Sequence, residues 1–239
     1  MRVTSVSEQL LHERERLDAL RAWRVLDTEA EASFDELTQL ASRLCGTPIA
    51  LVSLVDENRQ WFKSRVGLDA EETPRDVAFC SHAILESSTM VVEDTQLDDR
   101  FANNPLVVGD PRIRFYAGAP LVDSCGHALG TLCVIDREPR KLNEEQMLAL
   151  ELLSHQVIRL MELRKANWEL AENLERARCI ADMLPICSHC HAVRKEGDSW
   201  ERIDHYFQEL AGAKFSHGVC PACMVEHYAD FLNGLSPLK

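Results

Sequence analysis

One long stretch of helical periodicity, residues 143–184, constrains the organisation of this chain more than any other feature. Asn143 suits the N-cap position, and Gln146, three residues later, can return a hydrogen bond to the Asn143 amide. Pro185 ends the stretch, because proline has no amide hydrogen and disfavours helix in the residue before it. About 40 residues at about 1.5 Å per residue make a rod of roughly 60 Å, which is longer than a small domain is wide. The sequence therefore predicts a long connector helix between two different modules.

The two halves of this helix carry different apolar patterns. The first half has the dense apolar face of a helix that packs on a core, formed by Met147, Leu150, Leu153, Val157, Leu160 and Met161. The second half has a narrower stripe with one irregular spacing, formed by Leu163, Ala166, Leu170, Leu174, Ala177, Ala181 and Leu184. The narrow stripe favours a parallel pair of helices, and we expect a homodimer through the terminal and connector helices. A helix that folds back on its own domain and a broken helix are the alternatives.

The charge balance argues against several classes of partner. The net charge is −13, whereas nucleic acids and anionic membrane surfaces attract basic proteins. No apolar run approaches the roughly 18 residues of a membrane span, and the N-terminal segment has no apolar signal-peptide core. We therefore expect a cytoplasmic protein that binds neither nucleic acid nor membrane.

The residues before the connector predict a mixed α+β domain. Residues 1–28 have leucines at helical spacing, and a second helix ends at Gly46, a residue suited to the left-handed C-terminal position. Strand-like runs follow at 49–55, 60–66, 90–92, 114–122 and 128–136, with a short helix at 78–85 and a polar loop at 94–110. This order predicts an antiparallel sheet with the N- and C-terminal helices on one face.

Six segments of this region occur in the order in which they occur in a known family. They are Thr47–Asp56, Arg59–Gly67, Phe79–Ile84, Asp99–Phe101, Arg114–Leu121 and Leu129–Asp136. Together they resemble the GAF domains of bacterial signalling proteins, and we place a GAF sensory domain at residues 29–165. The resemblance implies a PAS-like, six-stranded antiparallel sheet with a concave pocket on one face. It also implies dimerisation through the terminal helices and a sensory or regulatory role.

Aromatic, cysteine and basic residues are expected around this pocket. The candidates are Trp61, Phe79, Cys80, His82, Phe101, Arg114, Tyr116 and Cys133. Each has a plainer alternative, such as inert packing for the cysteines and a salt bridge for the arginine. The signatures of the cyclic-nucleotide-binding and tetrapyrrole-binding members of the family are missing. The cysteine motif of the free methionine sulfoxide reductases is missing too, so the ligand of the pocket stays open.

Two Cys-x-x-Cys pairs near the C-terminus are the strongest chemical signal in the chain. Cys187 and Cys190 form the first pair, and Cys220 and Cys223 form the second, with 29 residues between the pairs. Four thiolates in two tight turns complete the tetrahedral shell of a structural Zn²⁺ ion, so we expect residues 185–239 to fold around zinc. His217 is a substitute ligand, and a dithiol redox centre is the alternative for each pair.

The segment between the two pairs predicts a helix, capped by Ser199 and ended by Gly212. This tail resembles, at Leu184–Cys190, Trp200 and Phe215–Cys223, a C-terminal segment appended to bacterial response-regulator, GAF and PAS proteins, which implies an output or docking role.

These features together predict a non-enzymatic bacterial signal-transduction protein. Its GAF domain would sense a small ligand, a redox state or a partner, and the dimeric connector at 143–184 would relay the signal to the zinc module. A scaffold or adaptor of a two-component pathway, its pocket filled by its own side chains, is the first alternative. A GAF-fold enzyme is the second.

Overall fold

The computed structural model describes residues 6–181, 185–195, 199–212, 214–216 and 218–228. The chain divides into two compact units, Met1–Glu172 and Asn173–Lys239. Among the described helices, none combines the length and the apolarity that a membrane crossing requires. The predicted division into a sensory domain, a connector and a zinc module stays a prediction.

A six-stranded antiparallel sheet forms the centre of the first unit, with the order β3-β2-β1-β6-β5-β4. The strands are β1 Ile49–Val55, β2 Arg59–Val66, β3 Glu72–Pro74, β4 Met90–Val92, β5 Phe115–Val122 and β6 Ala128–Asp136. Every residue of β1 is buried, which explains why its apolar run is nearly continuous. The predicted α+β fold with a six-stranded antiparallel sheet is confirmed, and β3 is a strand that the sequence analysis missed.

Three longer helices cover one face of this sheet, as predicted. They are α1 Val6–Ala22, α2 Ala32–Cys45 and α5 Glu144–Ala181, and their apolar residues share a core with Val52 and Ala117. Two short helices, α3 Cys80–Ala83 and α4 Pro105–Val108, belong to the opposite face, where Phe79 and Phe101 form a second core. The sheet therefore has one face under the terminal helices and one under short helices and loops.

The long helix α5 begins as its sequence predicts. The Asn143 amide donates to Gln146 Oε1 at 3.1 Å, and the Gln146 amide donates to Asn143 Oδ1 at 2.8 Å. This reciprocal pair satisfies two amides that the first turn would otherwise leave without partners. At about 1.5 Å per residue, the 38 residues of α5 span roughly 57 Å. The predicted end of the helix, at residues 182–184, lies outside the described residues.

The second unit contains short elements: β7 Val193–Arg194, β8 Trp200–Glu201, α6 Ile203–Ala211 and α7 Pro221–His227. The prediction that Ser199 caps the intervening helix is wrong, because Trp200 pairs with Arg194 in a two-stranded sheet. The helix begins after Arg202 instead, and Gly212 ends it in the left-handed conformation, with φ of 63°, as expected.

A partly buried ionic cluster ties α1 to the C-terminal end of the central strand β1. Arg16 donates to the Val55 carbonyl oxygen at 2.7 Å, and its guanidinium also binds Glu13, with N···O distances of 2.9 and 2.8 Å. Arg75 donates to the same Glu13 carboxylate at 2.7 Å. Burial raises the pKa of Glu13, but the hydrogen bonds and charges of Arg16 and Arg75 outweigh it and lower this pKa to about 2.

We expect Glu13→Gln to lower the free energy of unfolding at pH 7 by about 1–2 kcal/mol. Because the pKa of Glu13 is lower in the folded chain than its ordinary value of 4.5, the stabilisation is complete above about pH 5. It is lost as the pH falls toward 2, and there the variant should be as stable as the parent. Urea unfolding at several pH values measures this difference. The matched control is Glu15→Gln on the same helix, and a Glu13 effect that did not change with pH would contradict the assignment.

Candidate functional site

A cavity of about 170 Å³ lies against the second face of the sheet, where α3, α4 and their loops cover it. Most of the lining side chains are apolar. The lining residues are Ile49, Leu51, Gln60, Phe62, Leu68, Ala70, Thr73, Ala78, Phe79, Cys80, Leu106, Asp110, Pro111, Ile113, Tyr116 and Ile135. An apolar cavity of about 150 Å³ in a protein is known to accept benzene, so this one has room for a molecule with about six to ten heavy atoms.

Two polar atoms in the cavity lining have no partner among the described residues. They are Gln60 Oε1 and Thr73 Oγ1, both buried. Gln60 and Thr73 lie opposite each other in the pairing of β2 with β3, so the two atoms come from neighbouring positions. Buried acceptors in folded proteins are almost always satisfied, and leaving one unpaired costs about 1–3 kcal/mol. A ligand that donates a hydrogen bond here would remove that cost.

Cys80 brings a thiol to the same cavity, and three further side chains surround its sulfur. Thr131 Oγ1 donates to Cys80 Sγ at 3.0 Å, and the Tyr116 hydroxyl donates to it at 3.3 Å. Cys133 Sγ lies 3.9 Å from Cys80 Sγ, and all four residues are at least 99% buried. The result is a buried polar cluster in an otherwise apolar core.

The polar cluster shifts the pKa values of its two thiols in opposite directions. Burial raises the pKa of Cys80, but hydrogen bonds from Cys133, Thr131 and Tyr116 outweigh it and lower the pKa to about 7. The nearby Ser53 hydroxyl also lowers the pKa of Cys80, although its orientation gives it no hydrogen bond to any described residue. The interaction with Cys80 and burial both raise the pKa of Cys133. The hydrogen bonds thus favour the thiolate of Cys80 over that of Cys133.

The phenol of Tyr116 reaches Cys80 because Gly118 leaves room for it. A Cβ at position 118 would lie only 2.2 Å from the Tyr116 hydroxyl oxygen. The tyrosine ring is held from its other side by Phe79, whose centroid is 5.2 Å away in a stacked arrangement, and Phe79 in turn stacks on Phe101 at 4.2 Å. The Tyr-Ala-Gly sequence at 116–118 thus positions a buried hydroxyl.

The structure brings some of the sequence-predicted pocket residues together and separates others. Phe79, Cys80 and Tyr116 line the cavity, while Cys133 and Phe101 lie directly behind them. Trp61 belongs to the core on the opposite face, under the helices. This placement follows from strand alternation, since Trp61 and its neighbour Phe62 point to different faces.

The two charged candidates lie outside the cavity lining. Arg114 binds Asp94 with two hydrogen bonds, from Nε at 3.0 Å and from Nη2 at 2.7 Å, and this bond to Arg114 lowers the pKa of Asp94. Arg114 thus takes the salt bridge that the sequence left as an alternative to anion binding. His82 is exposed, and its ring meets the edge of Phe101 at 4.9 Å. Sequence reasoning missed Gln60 and Thr73, because their juxtaposition depends on β3.

In the second unit, each Cys-x-x-Cys pair lies in a turn that directs backbone amides at a sulfur. The first pair sits in a loop closed by a bridge between Ile186 and Val193, and the amides of Cys190 and His189 lower the pKa of Cys187. In the second pair, Cys220 Sγ accepts the Cys223 amide at 3.5 Å at the start of α7, and this contact lowers the pKa of Cys220. Two such turns provide the donor set of a structural zinc site, and zinc binding by these four cysteines stays a prediction.

Among the residues that the structure describes, two groups of ligand atoms lie within 4.8 Å of one another, and neither group contains a cysteine of the two Cys-x-x-Cys pairs. One is Asp123, Cys125 and His127 in the turn between β5 and β6, and the other is Glu201, His205 and Glu209 on and before α6. In the second group Lys195 already supplies the cation, since it binds both Glu201 and Glu209. The predicted substitute ligand His217 lies outside the described residues.

Comparison with known families identifies the fold of the first unit. The GAF domain family matches residues 29–159, just over half of the chain, so this chain belongs to the GAF domain family. It is a signalling-type GAF protein, as the sequence motifs predicted.

Individual relatives extend this comparison. A cyclic di-GMP phosphodiesterase of Pseudomonas aeruginosa is 47% identical over 146 residues, which cover 60% of this chain and 25% of that protein. The match therefore spans about a quarter of the length of that relative. The GAF domain of an Acinetobacter phosphoenolpyruvate-protein phosphotransferase has 18% identity and a TM-score of 0.49, over 68% of this chain and 97% of that one. Free methionine-R-sulfoxide reductase of Neisseria meningitidis has 19% identity and a TM-score of 0.48, over 69% and 96%.

The expectation of a non-enzymatic protein is contradicted by these comparisons. The relative with 47% identity is named a phosphodiesterase, which is an enzyme. The expectation rested on the lack of a recognisable nucleophile and base in the sequence, and a missing motif is weak support because catalytic groups gather through the fold rather than along the chain.

We expect the purified chain to contain about one zinc ion, held by Cys187, Cys190, Cys220 and Cys223. Cys220→Ser should lose most of this metal and increase hydrogen exchange in the second unit, because metal binding contributes to its folding. Metal analysis by mass spectrometry, with Cys45→Ala in the first unit as the control, measures the effect. His217→Ala should retain the metal, and a parent protein free of zinc would disprove the four-cysteine site.

Proposed function

We propose that the GAF domain of this chain is a sensory domain in cyclic di-GMP signalling. Its ligand is a small, largely apolar molecule with one hydrogen-bond donor, and ligand binding regulates cyclic di-GMP hydrolysis. The observation that carries this proposal is the apolar cavity of about 170 Å³ with two unpartnered acceptors in its wall.

The size of the cavity limits the ligand. About 170 Å³ holds a single six-membered ring with a short substituent. Cyclic di-GMP contains two guanine nucleotides and is several times larger. We therefore assign the dinucleotide to the regulated reaction and a smaller compound to the cavity.

The polar atoms limit the ligand further. Gln60 Oε1 accepts hydrogen bonds and cannot donate, so its partner has to be a donor such as a hydroxyl or an N–H group. Thr73 Oγ1 lies on the adjacent strand and can bind the same ligand group. A ring with one hydroxyl or N–H group meets both requirements.

Two observations support a sensory role over that of a scaffold with a pocket filled by its own side chains. The first is that the cavity is open to a molecule of this size rather than collapsed. The second is the 47% identity to a cyclic di-GMP phosphodiesterase, over a stretch about as long as a GAF domain.

We propose that the protein is located in the cytoplasm. The exposed thiol of Cys125 suits a reducing compartment.

We also propose that α5 relays the ligand state through a homodimer toward the zinc module. Leu163, Leu170 and Leu174 of α5 are more than half exposed, although they are large and apolar. With Asn167 they form a stripe with steps of four, three and four residues, the spacing of a coiled-coil seam. A single asparagine within such a seam favours a two-stranded, in-register pair.

We expect phenol to bind the chain and benzene to bind it more weakly. The phenol hydroxyl can donate a hydrogen bond to Gln60 Oε1, whereas benzene cannot. The binding free energies of the two ligands should therefore differ by about 1–3 kcal/mol, or roughly 5–150-fold in Kd. In Gln60→Leu this preference for phenol should disappear. Isothermal titration calorimetry measures both ligands on both proteins.

Filling the cavity provides the control for this test. Ala78 lines the cavity and is 2% exposed, so Ala78→Leu should weaken phenol binding at least about tenfold, whereas Ala22→Leu on the exposed face of α1 should not. Equal binding of phenol by all of these variants would place it elsewhere on the protein and refute the proposal. Where phenol binds as expected, its effect on cyclic di-GMP turnover by the full chain tests the regulatory part.

We expect the full chain to be a dimer at about 20 µM and Leu170→Glu to be a monomer, because a buried charge in a coiled-coil seam is unpaired. Leu152→Glu is the matched control, since Leu152 is an exposed leucine of α5 outside the stripe. Sedimentation equilibrium distinguishes these states. A monomeric parent, or a control that dissociates like the test variant, would rule out this seam.

A further inference from the structure

The buried cysteine pair contributes a chemistry that ligand recognition does not use. Cys80 lines the cavity and Cys133 lies directly behind it, with their sulfurs 3.9 Å apart. We propose that Cys80 and Cys133 form an oxidant-responsive dithiol, which a small hydroperoxide entering the cavity converts to a disulfide. This inference does not depend on the proposed sensing of an apolar ligand.

The surroundings of Cys80 support its role as the attacking group. Two hydroxyls donate to its sulfur, from Thr131 at 3.0 Å and from Tyr116 at 3.3 Å, and such hydrogen bonds stabilise a thiolate. These hydrogen bonds lower the pKa of Cys80 to about 7 and so favour its thiolate. The thiolate is the reactive form toward peroxides, so Cys80 combines reactivity with access from the cavity.

The size of the cavity selects the oxidant. Tert-butyl hydroperoxide has six heavy atoms, as benzene has, and therefore fits a volume of about 170 Å³. Lipid hydroperoxides with long chains do not fit within it. The proposed oxidant class is thus hydrogen peroxide and short alkyl hydroperoxides.

The reaction takes place in two steps. The Cys80 thiolate attacks the outer peroxide oxygen, so that an S–O bond forms and the O–O bond breaks. The alcohol leaves with a proton from the Tyr116 hydroxyl, and the proton that Cys80 released on ionising restores this hydroxyl through the solvent. The Cys133 sulfur next attacks the Cys80 sulfenic acid, forming the S–S bond and breaking the S–O bond. The hydroxyl group leaves as water with the Cys133 proton, so two thiols and one hydroperoxide give a disulfide, an alcohol and water.

Cys133 is placed to act as the resolving thiol. Its hydrogen bond with Cys80 and its burial raise the pKa of Cys133, which makes Cys133 the weaker competitor for the peroxide. The two sulfurs are 3.9 Å apart, so a rotation of the side chains is the movement needed to bring them to bonding distance. No other sulfur among the described residues contacts Cys80. Closing the bond removes the acceptor of the Thr131 and Tyr116 hydroxyls and so changes the wall of the cavity.

Cys45 is a natural internal control. It is fully buried like the pair, but it lies in the other core, and burial raises its pKa to about 11. A cysteine with that pKa is almost entirely protonated at neutral pH. Its oxidation should be slower than that of Cys80 by at least about tenfold.

The test is peptide mapping of the full chain after treatment with tert-butyl hydroperoxide, an acid quench and blocking of free thiols. We expect a cross-linked pair of peptides containing Cys80 and Cys133, formed at least about tenfold faster than any oxidation of Cys45. The parent protein suffices for this measurement, so it does not depend on the folding of a variant. Free Cys80 and Cys133 under conditions that oxidise the exposed Cys125 would overturn the proposal.

Two variants test the order of the steps and the route of the oxidant. In Cys133→Ser, dimedone should trap a sulfenic acid at Cys80, and an untrapped, unreacted Cys80 there would refute its role as the attacking thiol. Ala78→Leu should slow the cross-link at least about tenfold by filling the cavity, and an unchanged rate would refute entry through it. Phenol binding does not enter these measurements, so the ligand proposal can fail while this one stands, and the reverse.

Discussion

The close approach of β1 and β6 is the constraint on which the first unit depends. A Cβ at Gly130 would lie 1.9 Å from the Ser53 carbonyl oxygen, so the pairing at this point requires glycine. The two strands are buried on both faces along nearly their whole length. A strand pair that is buried on both faces needs other elements packed on each face, and here the two faces are packed by different parts of the chain. The terminal helices cover one face, and the segment between β3 and β5 covers the other.

The second cover is built from short elements, and this is why a cavity remains beneath it. Helices α3 and α4 have four residues each, so they cannot fill the concave face as a long helix does. Asn104 holds them together, because its side chain donates to the Val77 carbonyl at 2.9 Å and accepts the Leu106 amide at 2.8 Å. The cover therefore combines these hydrogen bonds with the apolar packing of Phe79 and Phe101, and it leaves room next to Phe79 and Tyr116.

The sequence predicted those features that depend on residues close together in the chain, and it missed features that depend on long-range pairing. The apolar run of β1 and the cap at Asn143 act within a few residues, and both agree with the structure. Gln60 and Thr73 are paired because β3 lies beside β2. Since β3 has three residues, it is too short to show strand periodicity, and the sequence pattern does not predict it. Ser199 has the chemistry of a helix cap, but the pairing of Trp200 with Arg194 prevails over it. The same limit applies to catalysis, where the lack of a linear motif gave the wrong expectation.

Tyr116 connects the two chemistries of the cavity. Its ring stacks on Phe79 in the cavity wall, while its hydroxyl donates to the Cys80 sulfur. The hydroxyl lies close to the Gly118 backbone, where a Cβ would come within 2.2 Å of its oxygen. A change in the charge of Cys80 therefore alters the hydrogen bond of a side chain that also forms the ligand surface, and in a buried, low-dielectric site that change is large. By the same linkage, a ligand that alters the Tyr116 hydrogen bond would change the stabilisation of the thiolate, so the proposed ligand binding and the proposed thiol oxidation should affect each other.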